Sequence, residues 1–487
     1  MPEKVILAGA GIGSKMNLTL AVHKALKESD VIIYDRLLNQ DIISPYFGKK
    51  EMYYVGKAAS NHSLSQEEIN ELIVVRAKEG KKVVRLKGGD PYIFGRGSEE
   101  ALFLKEKGLE FEVLPGVTSG VVCLNTAGIP ATHRNIATSV SFITGHRSQG
   151  SASSFQQYAK LEGTLVFYMG LNNLDLITRD LMEGGMDPNR SIAVIMNGGT
   201  NQQKSFTSTL SSIVEEIEGK GFGSPALIVV GETIDLRKDL NYFENRPLFG
   251  KNIAITRPRH QSSKISQLLE KKGAFVYNLP TISIEPIHLD LLEKQIENFD
   301  YSHLLFTSAN SVSIFFKTFL KKHDIRDLGK AKIVVIGKKT KEMVEKYHLK
   351  VDIFPDTYIG ENFVEAVKSS IEGPAKFFFP HSNISRKSII EALSELGDLN
   401  EMAVYKTILP KEVEELPENL DGIFFTSSST VKNFIELYGI EPLRNTKLFS
   451  IGKITSDTLK EFDLEVYKES KEATVESLVE AFEEAQI

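Results

Sequence analysis

Short apolar runs alternate with helical segments over the first 120 residues, and this alternation constrains the fold more than any other feature. Runs rich in β-branched residues predict strands at Lys4–Ala8, Val31–Tyr34, Val83–Leu86 and Phe111–Leu114. Between the first two strands, apolar residues recur at helical spacing from Leu18 to Leu26. Parallel strands need such crossovers, and the helices then cover the sheet. The sequence therefore predicts an α/β fold with a mostly parallel sheet.

A domain boundary follows a second block of predicted strands. The polar segment Asn241–Pro247 ends in proline and precedes a new strand at Lys251–Thr256, so we place the main boundary there. The block before it, from Ile129 to Asp235, has strands expected at Ser139–Thr144, Thr164–Met169, Ser191–Met196 and Ala226–Val230.

The composition excludes several classes of protein. Of 487 residues, 41% are hydrophobic and 25% charged, as in globular proteins, and a net charge of −6 argues against general nucleic-acid binding. The single cysteine, Cys123, excludes an internal disulfide and a multi-cysteine zinc site, and its apolar neighbours indicate a buried residue. The weakly polar stretch Phe111–Ala131 is too interrupted to span a membrane, and a strand beginning at Lys4 leaves no room for a signal peptide. We expect a cytoplasmic protein.

A repeated motif marks the carboxyl-terminal half. The segment Phe306–Val312 recurs in similar form as Phe425–Val431, and an apolar strand and short turn follow each copy. In both copies Thr and Ser follow a strand and precede a helix, where hydroxyls cap the helix and free N–H groups attract an anion. The hydroxyls either only cap helices or line a ligand cleft between two similar α/β lobes, and the duplication favours the cleft.

Two glycine-rich loops follow strands in the amino-terminal half. Ala8–Gly13, with Asp35 closing the second strand, is typical of a dinucleotide site, but Ser14 replaces the third glycine, so a tight structural turn is the alternative. The loop within Val83–Gly97 contains four glycines and two basic residues after a strand, which favours ligand binding over a solvated turn.

A series of ordered motifs adds to these loops. The series covers about residues 1–245 and comprises Gly9–Gly13, Tyr34–Leu37, Val55–Lys57, Gln66–Asn70, Val84–Pro91, Phe94–Gly97, Pro115–Ser119, Gly128–Pro130, Thr132–Arg134, Thr144–His146, Val166–Gly170 and Ser224–Leu227.

Together these motifs resemble uroporphyrinogen-III C-methyltransferases, of the tetrapyrrole methylase family. The order and number of motifs are far more specific than one glycine pattern, so they replace the dinucleotide interpretation. The resemblance implies a two-lobed methylase fold that transfers methyl groups from S-adenosylmethionine to carbons 2 and 7 of uroporphyrinogen III, giving precorrin-2. It also implies a homodimer formed through this half and no metal.

Residues 250–487 resemble uroporphyrinogen-III synthases through Ile255–Pro258, Phe306–Asn310, Val404–Thr407 and Phe425–Ser428. That family closes linear hydroxymethylbilane while inverting its last pyrrole ring, without a cofactor. The resemblance implies a methyltransferase domain at 1–245, with lobes at about 1–118 and 122–245, and a synthase domain at 250–487, with similar parallel α/β lobes at about 250–284 plus 408–487 and at about 288–405.

The methyltransferase resemblance implies roles for individual residues. Asp35 would accept a proton and Lys57 donate one, the alternatives being a capping Asp and a Lys that pairs with a substrate carboxylate. The first loop departs from the family at Ile12, Ser14 and Lys15, where Gly-Pro-Gly-Asp-Pro is usual. Residues implied for S-adenosylmethionine are Ile12, Gly88, Gly89, Asp90, Ile93, Thr118, Ser119, Met169, Gly198, Pro225 and Ala226. The candidate partners for the eight substrate carboxylates are Arg36, Lys57, Arg85, Lys87, Arg96, His133 and Arg134.

In the synthase half, Tyr405 matches the tyrosine that assists departure of the hydroxyl, the alternative being a half-buried strand aromatic. Ser308, Thr426 and Ser427 are the expected carboxylate contacts. We therefore expect a bifunctional enzyme of tetrapyrrole biosynthesis. The alternatives are a methylase acting later in corrin synthesis and, for the carboxyl-terminal half, a non-catalytic sensor of a small acidic ligand.

Overall fold

A computed structural model describes residues 4–35, 38–56, 64–146, 154–257, 259–355, 360–385, 387–411 and 413–485. Two of the predicted site residues, Arg36 and Lys57, lie outside these ranges. The chain divides into two compact units, Met1–Asn252 with Gln267–Phe275, and Ile253–Ser266 with Val276–Ile487. The domain and lobe bounds expected from the sequence stay predictions.

The first sheet is parallel throughout, in the order β3-β2-β4-β1-β5. The four strands predicted here are confirmed, and β3 was missed because its sequence, Glu-Met-Tyr-Tyr, lies at the sheet edge and is only half-buried. The strands are β1 (Val5–Gly9), β2 (Val31–Tyr34), β3 (Glu51–Tyr54), β4 (Val83–Lys87) and β5 (Phe111–Leu114).

The second sheet has the order β6-β7-β10-β8-β9 and mixed directions. β6 and β7 are parallel, whereas β10 is antiparallel to both β7 and β8, so it starts at the end of the sheet where they finish. The strands are β6 (Val140–Thr144), β7 (Thr164–Tyr168), β8 (Ser191–Met196), β9 (Lys204–Thr209) and β10 (Ala226–Val230).

The carboxyl-terminal half contains two further sheets, ordered β12-β11-β18-β19-β20 and β13-β17-β16-β14-β15. β18 pairs in parallel with β11 and β19, and β14, β15, β16 and β17 form parallel neighbours, whereas β13 is antiparallel to β17. The strands are β11 (Asn252–Ile255), β12 (Phe275–Asn278), β13 (Ser283–Pro286), β14 (His303–Phe306), β15 (Lys332–Val335), β16 (Lys376–Ser382), β17 (Asp398–Ile408), β18 (Gly422–Phe425), β19 (Leu448–Ser450) and β20 (Lys468–Glu469).

Helices cover the sheets and bury their apolar faces. In the first sheet, Leu7 and Val83 pack against the helices α3 and α4, whereas Leu86 packs on the opposite face. In the described ranges, every helix is too short or too polar to cross a bilayer. The α-helices are α1 (Leu20–Glu28), α2 (Gln40–Ile43), α3 (Gln66–Lys78), α4 (Gly97–Glu106), α5 (Ser119–Thr126), α6 (Leu174–Glu183), α7 (Ile213–Ile217), α8 (Arg237–Leu240), α9 (Arg259–Lys271), α10 (Leu289–Gln295), α11 (Ala309–Phe319), α12 (Lys338–Glu345), α13 (Gly360–Lys368), α14 (Lys387–Ser394), α15 (Ser428–Tyr438), α16 (Glu441–Arg444), α17 (Lys453–Glu461) and α18 (Val475–Glu484). Short 3₁₀ helices lie at Lys15–Asn17, Ser44–Tyr46, Phe155–Lys160, Leu171–Asn173, Glu232–Leu236 and Ile325–Leu328.

Candidate active sites

Three loops meet at the carboxyl ends of β1, β4 and β5. Gly11 and Gly89 exchange backbone hydrogen bonds of 3.1 and 2.8 Å, which join the first two loops. A Cβ on Gly116, in the third loop, would lie 2.1 Å from the carbonyl oxygen of Gly89. The backbones therefore approach too closely for a side chain at Gly116, and the glycines serve the packing of loop against loop.

The side chain of Asp90 connects the loop after β4 to the loop after β5 through hydrogen bonds. Its Oδ1 accepts a 2.8 Å hydrogen bond from the backbone N–H of Tyr92, and its Oδ2 accepts one of 3.1 Å from Gly116. Both carboxylate oxygens are thus engaged in holding the loop after β4 against the loop after β5.

These loops form one side of a cavity of about 540 Å³, within the usual size of a small-molecule site. The other side comes from the second sheet. There the residues after β7 and β8 lie beside the start of β10, because β10 is antiparallel to both. Every residue predicted to bind S-adenosylmethionine lines this cavity: Ile12, Gly88, Gly89, Asp90, Ile93, Thr118, Ser119, Met169, Gly198, Pro225 and Ala226.

Tyr168, the last residue of β7, also lines the cavity and was not predicted as a site residue. Its hydroxyl lies 2.9 Å from Thr118 Oγ1 and accepts a 2.8 Å hydrogen bond from the backbone N–H of Gly120. These contacts connect the end of β7 in the second sheet to the beginning of α5. Burial raises the pKa of the Tyr168 phenol. Its position before Met169, at the end of a strongly apolar strand, was the available signal.

Asp35 follows β2, and its side chain is 28% exposed. It does not line the cavity, but the nearby Asn39 donates a 2.7 Å hydrogen bond to the carbonyl oxygen of Gly13, which does. Arg85 Nη2 lies 3.5 Å from Asp35 Oδ2. The described structure thus places Asp35 directly after β2 and beside a guanidinium.

Arg85 and Lys87 lie in the interior. They alternate with Val83 on the face of β4 that α3 and α4 cover, and both pair with Glu100 of α4, at 3.2 and 2.8 Å. Burial, and then the charge of Arg85, lower the pKa of Lys87. A substrate role for these two cations stays a prediction, and the structure gives them an internal partner that sequence reasoning missed.

The remaining predicted substrate partners lie on the surface of this half. Arg96 Nη2 forms a 2.6 Å ion pair with Glu99 Oε2. His133 and Arg134 are exposed, and the imidazole Nδ1 lies 2.7 Å from the carbonyl oxygen of Arg134. None of the three lines the cavity.

In the carboxyl-terminal half, Tyr405 and Ser308 lie together. The hydroxyl of Tyr405, a residue of β17 that is 6% exposed, donates a 3.0 Å hydrogen bond to Ser308 Oγ. Ser308 is the N-cap of α11 and accepts a 3.1 Å hydrogen bond from the backbone N–H of Ser311. The ring is more buried than the alternative of a half-buried strand aromatic expected, and its hydroxyl contacts the first copy of the repeat.

The second copy has the same cap. Ser427 is the N-cap of α15 and accepts a hydrogen bond from the backbone N–H of Thr430. The predicted capping positions are thus confirmed in both copies, and whether the hydroxyls also bind carboxylates stays a prediction. The neighbouring Thr426 Oγ1 accepts a 2.8 Å hydrogen bond from Arg257 Nε.

The comparisons with known proteins concern both halves. A family model described as Tetrapyrrole (Corrin/Porphyrin) Methylases matches residues 4–214, and one described as Uroporphyrinogen-III synthase HemD matches residues 263–480. The chain is 34% identical to the Porphyrin biosynthesis protein HemD of Ruminiclostridium josui over 98% of this chain and 97% of that protein. The chain belongs to both families.

Other relatives match one or both halves. A Uroporphyrinogen-III C-methyltransferase of Bacillus subtilis is 35% identical over 78% of this chain and 80% of that protein. One from Methanocaldococcus jannaschii is 43% identical over 48% of this chain and 98% of its own length. A solved structure from Thermus thermophilus, Uroporphyrin-III C-methyl transferase complexed with S-adenyl homocysteine, is 35% identical over 48% of this chain and all of its own, with a TM-score of 0.42.

The synthase half contains one more candidate binding residue, Arg257. It lies in the motif Ile255–Pro258, but no role was predicted for it from the sequence. Arg257 is half-buried, burial lowers its pKa, and no carboxylate of the described residues lies within ion-pair distance of its guanidinium. A cation without a carboxylate beside Thr426 is suited to an anionic ligand.

Neither half holds a candidate metal centre in the described part of the chain, where no group of three or more His, Cys, Asp and Glu is arranged to bind an ion.

Proposed function

We propose that this chain is a bifunctional enzyme of tetrapyrrole biosynthesis. Its synthase half closes hydroxymethylbilane to uroporphyrinogen III, and its methylase half transfers methyl groups from S-adenosylmethionine to carbons 2 and 7, giving precorrin-2. The observation that carries the proposal is the convergence of all the residues implied for S-adenosylmethionine on one cavity, in a chain that belongs to both families.

The cavity suits a nucleoside with a short polar chain. Its walls combine apolar side chains, among them Ile93, Ile195 and Leu227, with backbone groups of the glycine loops and of the beginning of α5. A few polar groups on a largely apolar wall are the usual means of orienting a small ligand. Bound S-adenosylmethionine supplies a methyl group that its sulfonium already activates. The residues of the chain have to hold donor and acceptor in line and to manage the proton released from the macrocycle.

Asp35 is the proposed proton acceptor. It directly follows β2, and its side chain is partly exposed, so an acceptor substrate can reach it. Arg85 Nη2 lies 3.5 Å from Asp35 Oδ2 and helps to hold the carboxylate in position. Lys57 is the proposed donor, with pairing to a substrate carboxylate as the alternative role.

The synthase half needs no cofactor for its proposed reaction. The terminal hydroxyl of hydroxymethylbilane leaves as water with a proton that Tyr405 supplies, and the half must hold the chain so that closure proceeds through the inverted ring. Ser308, Thr426 and Ser427 are proposed to bind its carboxylates, together with Arg257. The beginnings of α11 and α15 are the positive ends of the helix dipoles and add a favourable field for anions.

The remaining proposals concern the protein as a whole. We propose a cytoplasmic homodimer that pairs through its methylase halves, acts on tetrapyrroles, and uses neither a metal nor a nucleic acid or membrane partner. Light scattering on the purified chain tests the dimer, because a single 54.2 kDa species would contradict it.

The direct test of the methylase proposal supplies authentic uroporphyrinogen III and S-adenosylmethionine under anaerobic conditions. We expect a dimethylated product from the unmodified protein and a rate about a hundredfold lower from Asp35→Asn, because positioned acid–base groups contribute about that much. Asp175→Asn, on α6 and 70% exposed, is the matched control. Methylation of a later corrin intermediate in preference to uroporphyrinogen III would favour the later methylase, and equal rates for the three proteins would refute the role of Asp35.

A further inference from the structure

A cluster of buried charges contacts Asp35 through one of its members, Arg85. At its centre is Glu100 of α4, whose side chain is completely buried. Its Oε1 accepts hydrogen bonds from Lys87 Nζ at 2.8 Å, from Arg85 Nε at 3.2 Å and from Gln66 Nε2 at 3.2 Å. Its Oε2 has no hydrogen-bond partner among the described residues. One carboxylate oxygen thus holds two cations inside the protein.

The strand register explains how this cluster reaches Asp35. Arg85 lies opposite Ile33 of β2, two residues before Asp35, and donates hydrogen bonds to the carbonyl oxygens of Ile33 and Leu86. Its Nε turns to Glu100 and its Nη2 lies near Asp35, so one guanidinium is shared between two carboxylates. Glu100 is the buried member of this pair, and Asp35 is the member that solvent reaches.

Stability alone does not account for such a cluster. Buried ion pairs contribute little compared with apolar residues of the same size, because desolvation offsets their attraction. The unpartnered oxygen of Glu100 is a further cost. A buried charged cluster with this energetic cost, joined through Arg85 to the proposed proton acceptor, points to a function.

We propose that Glu100 is a positioning residue for methylation, which holds Arg85 and balances the charge of Lys87 so that Arg85 and Asp35 keep their places. The inference rests on the proposed function of the methylase half. Without the charge of Glu100, the Nε side of Arg85 loses its charged partner, so the guanidinium shifts toward Asp35 and moves that carboxylate from its place.

Two substitutions separate charge from shape. Glu100→Gln keeps the size of the side chain and loses its charge, whereas Glu100→Asp keeps the charge and is one methylene shorter. We expect kcat of methylation to fall about tenfold or more in Glu100→Gln and to stay several-fold higher in Glu100→Asp, since acid–base groups carry effects of this order. The matched control is Glu106→Gln, an exposed position on the same helix.

The affinity for S-adenosylhomocysteine, measured by calorimetry on the full chain, tells positioning from folding. The proposal requires that Glu100→Gln binds it as the unmodified protein does while kcat falls. A parallel loss of affinity and rate, a higher rate in Glu100→Gln than in Glu100→Asp, or an unchanged rate in Glu100→Gln would each overturn it. If Glu100→Gln does not fold, the Glu100→Asp variant tests the proposal instead. The proposal then requires Glu100→Asp to retain the affinity for S-adenosylhomocysteine and most of the kcat of methylation. Absence of methylation in the unmodified protein would instead refute the proposed function itself.

Discussion

Tyr405 and Ser308 lie far apart in the sequence, and one hydrogen bond joins them in the synthase half. Sequence patterns placed Ser308 at a helix start and Tyr405 on a strand, and both placements are confirmed. Their contact was beyond sequence reasoning, because it depends on how β17 packs beside β16 and β14. The same holds for Glu100, since no spacing along the chain relates it to Arg85 and Lys87.

Tyr405→Phe removes the hydroxyl and leaves the ring in the core. We expect the free energy of unfolding to fall by about 1 kcal/mol, the usual contribution of one hydrogen bond. We also expect formation of the type III isomer to fall about tenfold or more, with the uninverted isomer gaining in proportion. Separation of the isomers after oxidation measures this. Tyr438→Phe, which removes a hydroxyl bonded to the carbonyl oxygen of Glu414, is the control, and a wild-type isomer ratio in Tyr405→Phe would contradict the role.

Cys123 is buried, as its apolar neighbours predicted, and burial raises the pKa of its thiol to about 12. We expect the folded protein to resist alkylation at pH 8, because only about one thiol in 10⁴ is then ionised. The thiol of Cys123 loses its proton at a lower pH in the unfolded chain than in the folded protein. The contribution of the protonated thiol to the free energy of unfolding is therefore present below about pH 9 and is lost as the pH rises further. Labelling with iodoacetamide, with and without guanidinium, checks this; rapid labelling of the folded protein would refute it.

At the scale of elements, strand positions followed closely from the sequence. β2, β5, β8 and β10 have the predicted bounds. Strand direction in the second sheet could not be predicted from the sequence. β7 and β8 run in the same direction, as a helical crossover requires, whereas β10 lies between them and runs in the opposite direction. Local periodicity carries no information on such an insertion. β9 was missed because its sequence, Lys-Ser-Phe-Thr-Ser-Thr, is largely polar.

The loop contacts make Gly116 an informative position in the methylase half. Gly116→Ala places a methyl group against the backbone of Gly9 and Gly89, and we expect a loss of stability of about 1–3 kcal/mol from overpacking. The affinity for S-adenosylhomocysteine should fall as well, because the displaced loops line the cavity. Gly223→Ala is the control, since a Cβ there meets no atom within 4 Å. Chemical denaturation and calorimetry measure both effects, and identical results for the two variants would contradict the packing argument.

At the scale of the whole molecule, ordered motifs predicted both families, and the comparisons confirm them. The residues that the motifs assigned to S-adenosylmethionine line one cavity, because a glycine loop or a strand end fixes backbone position within the fold, and their binding role stays a prediction. The ion pairs within the protein did not follow from the motifs. Long side chains such as Arg85 and Lys87 turn toward whichever carboxylate the packing provides, which here is Glu100.

The most direct test of the bifunctional account gives hydroxymethylbilane to the purified protein under anaerobic conditions, with and without S-adenosylmethionine. The products are then oxidised and their isomers separated. The account predicts the type III isomer without S-adenosylmethionine and its replacement by a dimethylated product when S-adenosylmethionine is present. Only the type I isomer, unchanged by S-adenosylmethionine, would contradict it.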